Sequence, residues 1–149
     1  MKIEEELKTK KFVNEKQKAV LSVLFTASWL SGKFACVIRP FGLSEPQYNI
    51  LRILNGSYPN SLSVLDIKTR MIDRMSNVSR LVEKLKAKGL VERKLHLEDR
   101  RRVEVSITQK GQLVLKEIYD ASPDPAKYPE SLSLRDAKEL VRILDKMRE

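Results

Sequence analysis

The chain has 149 residues, 42% of them hydrophobic and 33% charged, and a net charge of +9. That leaves room for one domain with a core, or a small domain plus association helices, and excludes an intrinsically disordered chain. No run of about 18 consecutive apolar residues points to a membrane span, the start MKIEEELKTKK has no apolar stretch of a secretion signal, and a single cysteine excludes an internal disulfide, so a reducing cytoplasm is the expected compartment.

Residues 1–11 are charged and expected to fray. A long helical pattern follows from Phe12 to about Arg39, with VLSVLF at 20–25 apolar on nearly every side. Such a helix must be covered on more than one face, by the rest of the domain and by a second subunit. Pro40 stops it and Phe41-Gly42 makes the turn. Ser44 and Gln47 have capping-box spacing, Pro46 falls in the first turn, and Leu43 with Tyr48 suits a hydrophobic staple. The helix they start buries Tyr48 and Leu51, with Ile50 and Leu54 as further candidates, and should end at Asn55-Gly56. Residues 57–61 form a turn, and Ser63 with Asp66 caps a short helix to about Ile72.

Ser76 is the expected cap of the next helix. Its residues Val78, Leu81, Val82 and Leu85 fall at i, i+3, i+4 and i+7 and predict one buried stripe. At 100° per residue the opposite side carries Ser76, Arg80 and Lys84, flanked by Asn77 and Ser79. Gly89 ends it. Strands are predicted at Val91–Leu95 and Val103–Ile107, the second alternating apolar with polar residues. Thr108 suits the cap of a helix to Tyr119. Pro123, Pro125 and Pro129 then mark a loop, and Ser133 caps a last helix predicted to bury Ala137, Leu140, Val141, Leu144 and Met147.

The charge is concentrated. Twelve Lys/Arg and five Asp/Glu lie between Lys68 and Arg102, so this unit carries +7 and the remaining 114 residues only +2. Positive charge gathered on one supersecondary unit is the electrostatic signature of a nucleic-acid partner. The unit runs helix, tight turn, helix, and two strands around a tip rich in arginine. That order suits a duplex, with the second helix in the major groove and the hairpin along the backbone. Arg80 and Lys84 are candidates for groove or phosphate contact, and Ser76, Asn77 and Ser79 for base edges or phosphates. Arg100, Arg101 and Arg102 stand at the hairpin tip near Glu98 and Asp99. One should pair locally, and at least one should reach phosphate or the minor groove.

From about Gly42 to Gly111, and more loosely over nearly the whole chain, the sequence resembles the MarR family of winged helix-turn-helix regulators. The resemblance rests on GLSEPQYNILRIL, MSNVSRLVEKLKAKGLVER and EDRRRVEVSITQKG, in that order and spacing. It implies a mainly α fold with a small β-hairpin wing. Residues 40–108 would form the winged helix-turn-helix DNA-binding domain, and residues 1–39 and 109–149 the dimerisation helices. The implied assembly is a homodimer on a palindromic double-stranded operator. It also implies that Ser79-Arg80 sits where the family has a DNA-contacting Ser/Thr-Arg pair. Arg101 falls on the wing arginine, and Asp99 on the aspartate that supports it. Lys68 departs from the pattern, standing where relatives carry a small residue. The three prolines depart as well, cutting short a helix that relatives continue into the dimer interface.

The other conspicuous residues fit plainer roles. Cys36 lies near the end of the first helix, where a small buried apolar role is expected. His96 has no second ligand at metal spacing, so no metal site is expected. Trp29, Phe25, Phe34 and Tyr48 could line a small-molecule pocket between the first helix and the reading head, although aromatic residues at helical spacing usually form core. With no Ser/His/Asp set and no Gly-rich phosphate loop, neither an enzyme nor a cofactor is expected. The sequence thus favours a dimeric, sequence-specific transcription regulator, a repressor with scope for a small-molecule effector. The alternative is a winged-helix protein–protein module whose basic head meets an acidic partner.

Overall fold

The structure is a computed structural model that describes residues 2–9, 11–95, 103–121 and 129–149. It begins with a single helical turn, α1 (Ile3–Glu6), where fraying was expected. The turn is held on the next helix by an ion pair of 2.5 Å between Glu4 and Lys18. Helix α2 (Glu15–Ile38) is capped by Asn14, whose side chain accepts from the Gln17 amide at 2.9 Å. It spans about 36 Å at 1.5 Å per residue. Among its residues only Ile38 is buried. An 18-residue window of this helix has a mean hydropathy of 1.5, long and apolar enough to cross a membrane by composition. The sequence conceals this because Ser, Thr, Gly and Lys interrupt the apolar run. Cys36 is exposed, not buried as expected, because the end of α2 turns that side away from the domain.

A 3-10 turn at Arg39–Phe41 and Gly42 at φ 69° redirect the chain. Helix α3 (Glu45–Ser57) then starts with the expected Ser44/Gln47 capping box. It continues through Asn55-Gly56 to Ser57, one residue past the expected stop, since Gly56 keeps helical geometry there. Helix α3 is the centre of the domain, packed against α2 before it and against helices and a strand from residues 64–70, 78–87, 103–107 and 109–121 after it. Ile50, Leu51 and Leu54 are buried, while Tyr48 is only half-buried against the core.

Strand β1 (Leu62–Ser63) is too short to announce itself in a sequence. Helix α4 (Val64–Arg70) follows with the Ser63/Asp66 capping box and ends two residues before the expected Ile72. Helix α5 (Val78–Ala87), strand β2 (Val91–Leu95) and strand β3 (Val103–Ile107) complete the head, both strands with the predicted bounds. The three strands form an antiparallel sheet with β3 in the middle. Val105 faces Leu62 on one side and Arg93 on the other. Val105 and Ile107 are buried while Glu104 and Ser106 are half-buried, so the predicted alternation holds over residues 104–107, and Val103 is only half-buried.

Helix α6 (Gln109–Ala121) starts at the predicted Thr108. Thr108 Oγ1 accepts from the Gly111 amide at 3.1 Å and donates to the Gly89 carbonyl at 2.7 Å. Gly111 is the most tightly enclosed of the five glycines. A Cβ there would lie 2.3 Å from the Leu90 carbonyl oxygen and 2.8 Å from Ile107 Cγ1. Pro123 and Pro125 lie outside the described residues. Helix α7 (Leu134–Met147) is capped by Ser133 as expected. Its apolar stripe is not buried as predicted: Leu140 is 45% exposed, Val141 58% and Met147 45%. Among the described residues no element covers it.

Candidate nucleic-acid interface

The second helix of the helix-turn-helix pair is set by its buried side. Val78, Val82 and Leu85 are buried and Leu81 half-buried against α3, α4 and the sheet, which fixes the helix about its own axis. Arg80 and Lys84 therefore stand exposed on the opposite side with Ser79, as their spacing predicts. Among the described residues, neither the Arg80 nor the Lys84 side chain makes an ion pair. Both charges face solvent and are free to meet phosphate or a base edge.

The start of α5 differs from expectation. The cap is Asn77, whose Oδ1 accepts from the Arg80 amide at 3.1 Å. Ser76 lies one residue before it, and its hydroxyl donates to Asp73 Oδ2 at 2.9 Å. The other Asp73 oxygen accepts from the Met75 amide at 2.9 Å. The DRMSN turn thus has its own aspartate, which takes the serine away from the helix end and leaves the cap to asparagine. As a result Asn77 keeps its amide NH2 for a ligand and Ser76 its hydroxyl lone pairs.

Two more contacts seat this helix. Glu83, on its exposed side, forms an ion pair with Arg93 of β2. This pair neutralises the one acid on the polar face, and the sequence concealed it because the partners lie on different elements. At the other end Gly89 takes φ 72° and Leu90 turns into the sheet. The Leu90 carbonyl accepts from the Thr108 amide at 3.1 Å, and Lys110 Nζ donates to the Lys88 carbonyl at 2.9 Å. The end of α5, the base of the hairpin and the start of α6 are therefore tied together.

Lys68 and Met75 join this surface without having been anticipated as part of it. Together with Leu65, Ser76 and Ser79 they line a cleft between α4 and the start of α5. Asp99, Arg100, Arg101 and Arg102 lie outside the described residues, as does His96. Among the described residues no cluster of potential metal ligands occurs.

The aromatic pocket expected from Trp29, Phe25, Phe34 and Tyr48 is not assembled. Phe25 and Trp29 line a cleft with Ile3 and Glu6 of the first turn, away from the head. Phe34 is half exposed. The cleft between α2 and the head has a volume of ≈ 320 Å³ and is lined by Ser31, Glu45, Pro46, Asn49, Met71, Ile72 and Asp73. Helical spacing could not show which side of α2 faces the head, because that helix is apolar on most sides.

A helix-turn-helix followed by the antiparallel pair β2 and β3, which β1 ahead of it extends to a three-stranded sheet, with the exposed side of its second helix basic and polar, defines a winged-helix DNA-binding head. The MarR family profile matches residues 43–103. The chain is 30% identical over 111 residues to the HTH-type transcriptional regulator MgrA of Staphylococcus aureus, covering 74% of each chain. Against YfiV, an HTH-type regulator of Bacillus subtilis, the match spans only 48% of the relative's length. The fold is similar to that of a MarR transcription factor from Planctomyces limnophilus, at 30% identity and a TM-score of 0.67, over 93% of this chain and 98% of that one. It is also similar to a mutant MarR from E. coli complexed with operator DNA, at 17% identity and a TM-score of 0.77, over 92% and 98%. The chain belongs to the MarR family and is a winged helix-turn-helix transcriptional regulator.

Proposed function

We propose that this regulator acts as a homodimer on a palindromic operator, as a cytoplasmic repressor. Residues 40–108 form its DNA-binding domain, and residues 1–39 and 109–149 its dimerisation region. The observation that carries the DNA reading is the orientation of α5. Its buried stripe leaves Arg80, Lys84, Ser79, Ser76 and Asn77 on the open side, within the most basic part of the chain. Arg80 and the two serines meet base edges and phosphates in the major groove, and Lys84 meets phosphate. Arg100, Arg101 and Arg102 of the tip follow the backbone, with Asp99 orienting one of them.

The dimer reading rests on the apolar surface that one chain leaves uncovered. Val20, Val23, Leu24, Trp29 and Phe34 of α2 and Leu140, Val141 and Ile143 of α7 are all more than a third exposed. A patch of that extent marks an interaction surface, and a second copy buries it symmetrically. The same burial accounts for an α2 of membrane-like hydropathy in a regulator.

A small-molecule effector has a place to act in the cleft beneath α2. Its wall includes Asn49 and Asp73, which bond the backbone of Ile72 and of Met75 at 2.9 Å each. A ligand that drew either side chain away would shift the start of α5, and with it the affinity for DNA.

Fluorescence anisotropy with duplexes from the chain's own promoter region tests the main reading. Preference for one site over random duplex at physiological salt is expected. Equal binding to both would count against it, and retention of a stoichiometric acidic protein in its place would favour the interaction-module alternative.

A further inference from the structure

Two exposed apolar side chains stand where the polar reading surface begins. Met75 is 92% exposed and Leu65 68% exposed. They line one cleft with Lys68, Ser76 and Ser79, at the junction of α4 and the start of α5. A single exposed methionine is ordinary on a protein surface. This pair is different because it is continuous with the face assigned to DNA. Its surroundings are also strongly basic, with nine Lys/Arg against three Asp/Glu between residues 68 and 95. Met75 is held in place as well, since its amide donates to Asp73 Oδ1 at 2.9 Å.

An apolar side chain in the major groove has one complementary group to meet. Phosphates, base carbonyls and exocyclic amines all require hydrogen bonds that Met and Leu do not make, whereas the thymine C5-methyl is apolar. We infer that Met75, with Leu65 beside it, reads thymine methyl groups at the edge of each half-site. The operator then requires thymine at one or two fixed positions beside the bases met by Arg80. The thioether suits this role because its unbranched chain adapts to the position of a methyl. Lys68, in the same cleft, meets the phosphate next to that thymine. This inference rests on the DNA reading given above.

The test uses the full chain and a preferred duplex selected from a random-sequence pool. Each thymine is then replaced by deoxyuridine, which removes only the C5-methyl and keeps base pairing. Losing burial of one methyl should weaken wild-type binding about fourfold, and about fifteenfold when both half-sites are changed. Met75→Ala, alone or with Leu65→Ala, should bind the thymine and deoxyuridine duplexes equally well. Met75→Leu should retain the discrimination. Wild-type binding that is indifferent to every deoxyuridine overturns the inference alone, and so does discrimination that persists in the double variant. A chain that selects no duplex overturns the DNA reading and this inference together.

Discussion

Gly111→Ala is the change for which the structure sets the largest effect with the fewest atoms. The added methyl would sit 2.3 Å from the Leu90 carbonyl oxygen, where ordinary contact is about 3.5 Å, so the two backbones must part by about 1 Å. The carbonyl cannot swing aside alone, because the Thr108 amide bonds it at 3.1 Å. Ile107 Cγ1, at 2.8 Å, closes the other side. Overpacking of this kind costs about 1–3 kcal/mol, and immovable backbone places it near the top. Alanine's helix propensity offsets at most about 1 kcal/mol in a helix interior and less in a first turn. A net loss of about 2 kcal/mol corresponds to a Tm lower by about 4–8 °C for a chain of this size. Thermal melts followed by far-ultraviolet circular dichroism should show it, at one fixed protein concentration because self-association shifts Tm. Gly56→Ala is the control. Beyond its own helical backbone and chain neighbours, no described atom lies within 4 Å of its Cβ position, so its Tm should stay level or rise slightly. If Gly111→Ala melts at or above the wild-type temperature, α6 is not held against Leu90 and the argument fails.

Arg80→Ala should weaken binding to the preferred duplex more than to random duplex with an unchanged Tm, because this side chain faces away from the core; anisotropy titrations with both duplexes measure the difference. Arg101→Ala should weaken binding evenly across sequences and flatten the dependence of log K on log salt by about one unit per subunit, if that arginine neutralises one phosphate. Leu85→Ala, at a fully buried site, should cost about 2–5 kcal/mol in urea unfolding. Sedimentation at micromolar concentration should give about twice the 17.2 kDa chain mass, and Val141→Glu on the exposed stripe of α7 should return it to one chain mass.

Local signals were legible in the sequence because they depend on near neighbours. The capping boxes at Ser44 and Ser63, the turns at Gly42 and Gly89, the two hairpin strands and the buried stripe of α5 all follow from spacing and backbone preference, and all are present. The orientation of Arg80 and Lys84 follows from the same stripe, since a helix that buries one side must expose the other. What failed locally was the competition between two good caps. Ser76 and Asn77 both suit the start of α5, and only the place of Asp73 decides that the serine serves the turn and the asparagine the helix.

Contacts between distant segments had no local signature. Leu62 pairs with Val105, Glu83 with Arg93, and Gly111 presses on Leu90 because the domain folds back on itself. Neither spacing nor propensity carries that information. The predicted burial of Leu140, Val141 and Met147 shows the same limit from the other side. Their spacing determines a single apolar stripe, but what covers a stripe is a tertiary or quaternary matter, and among the described residues nothing does. The amino-acid order thus determined the elements and the basic face of the reading helix. Tertiary packing decided which cap acts, how the wing is seated, and that Met75 and Leu65 stand beside that face.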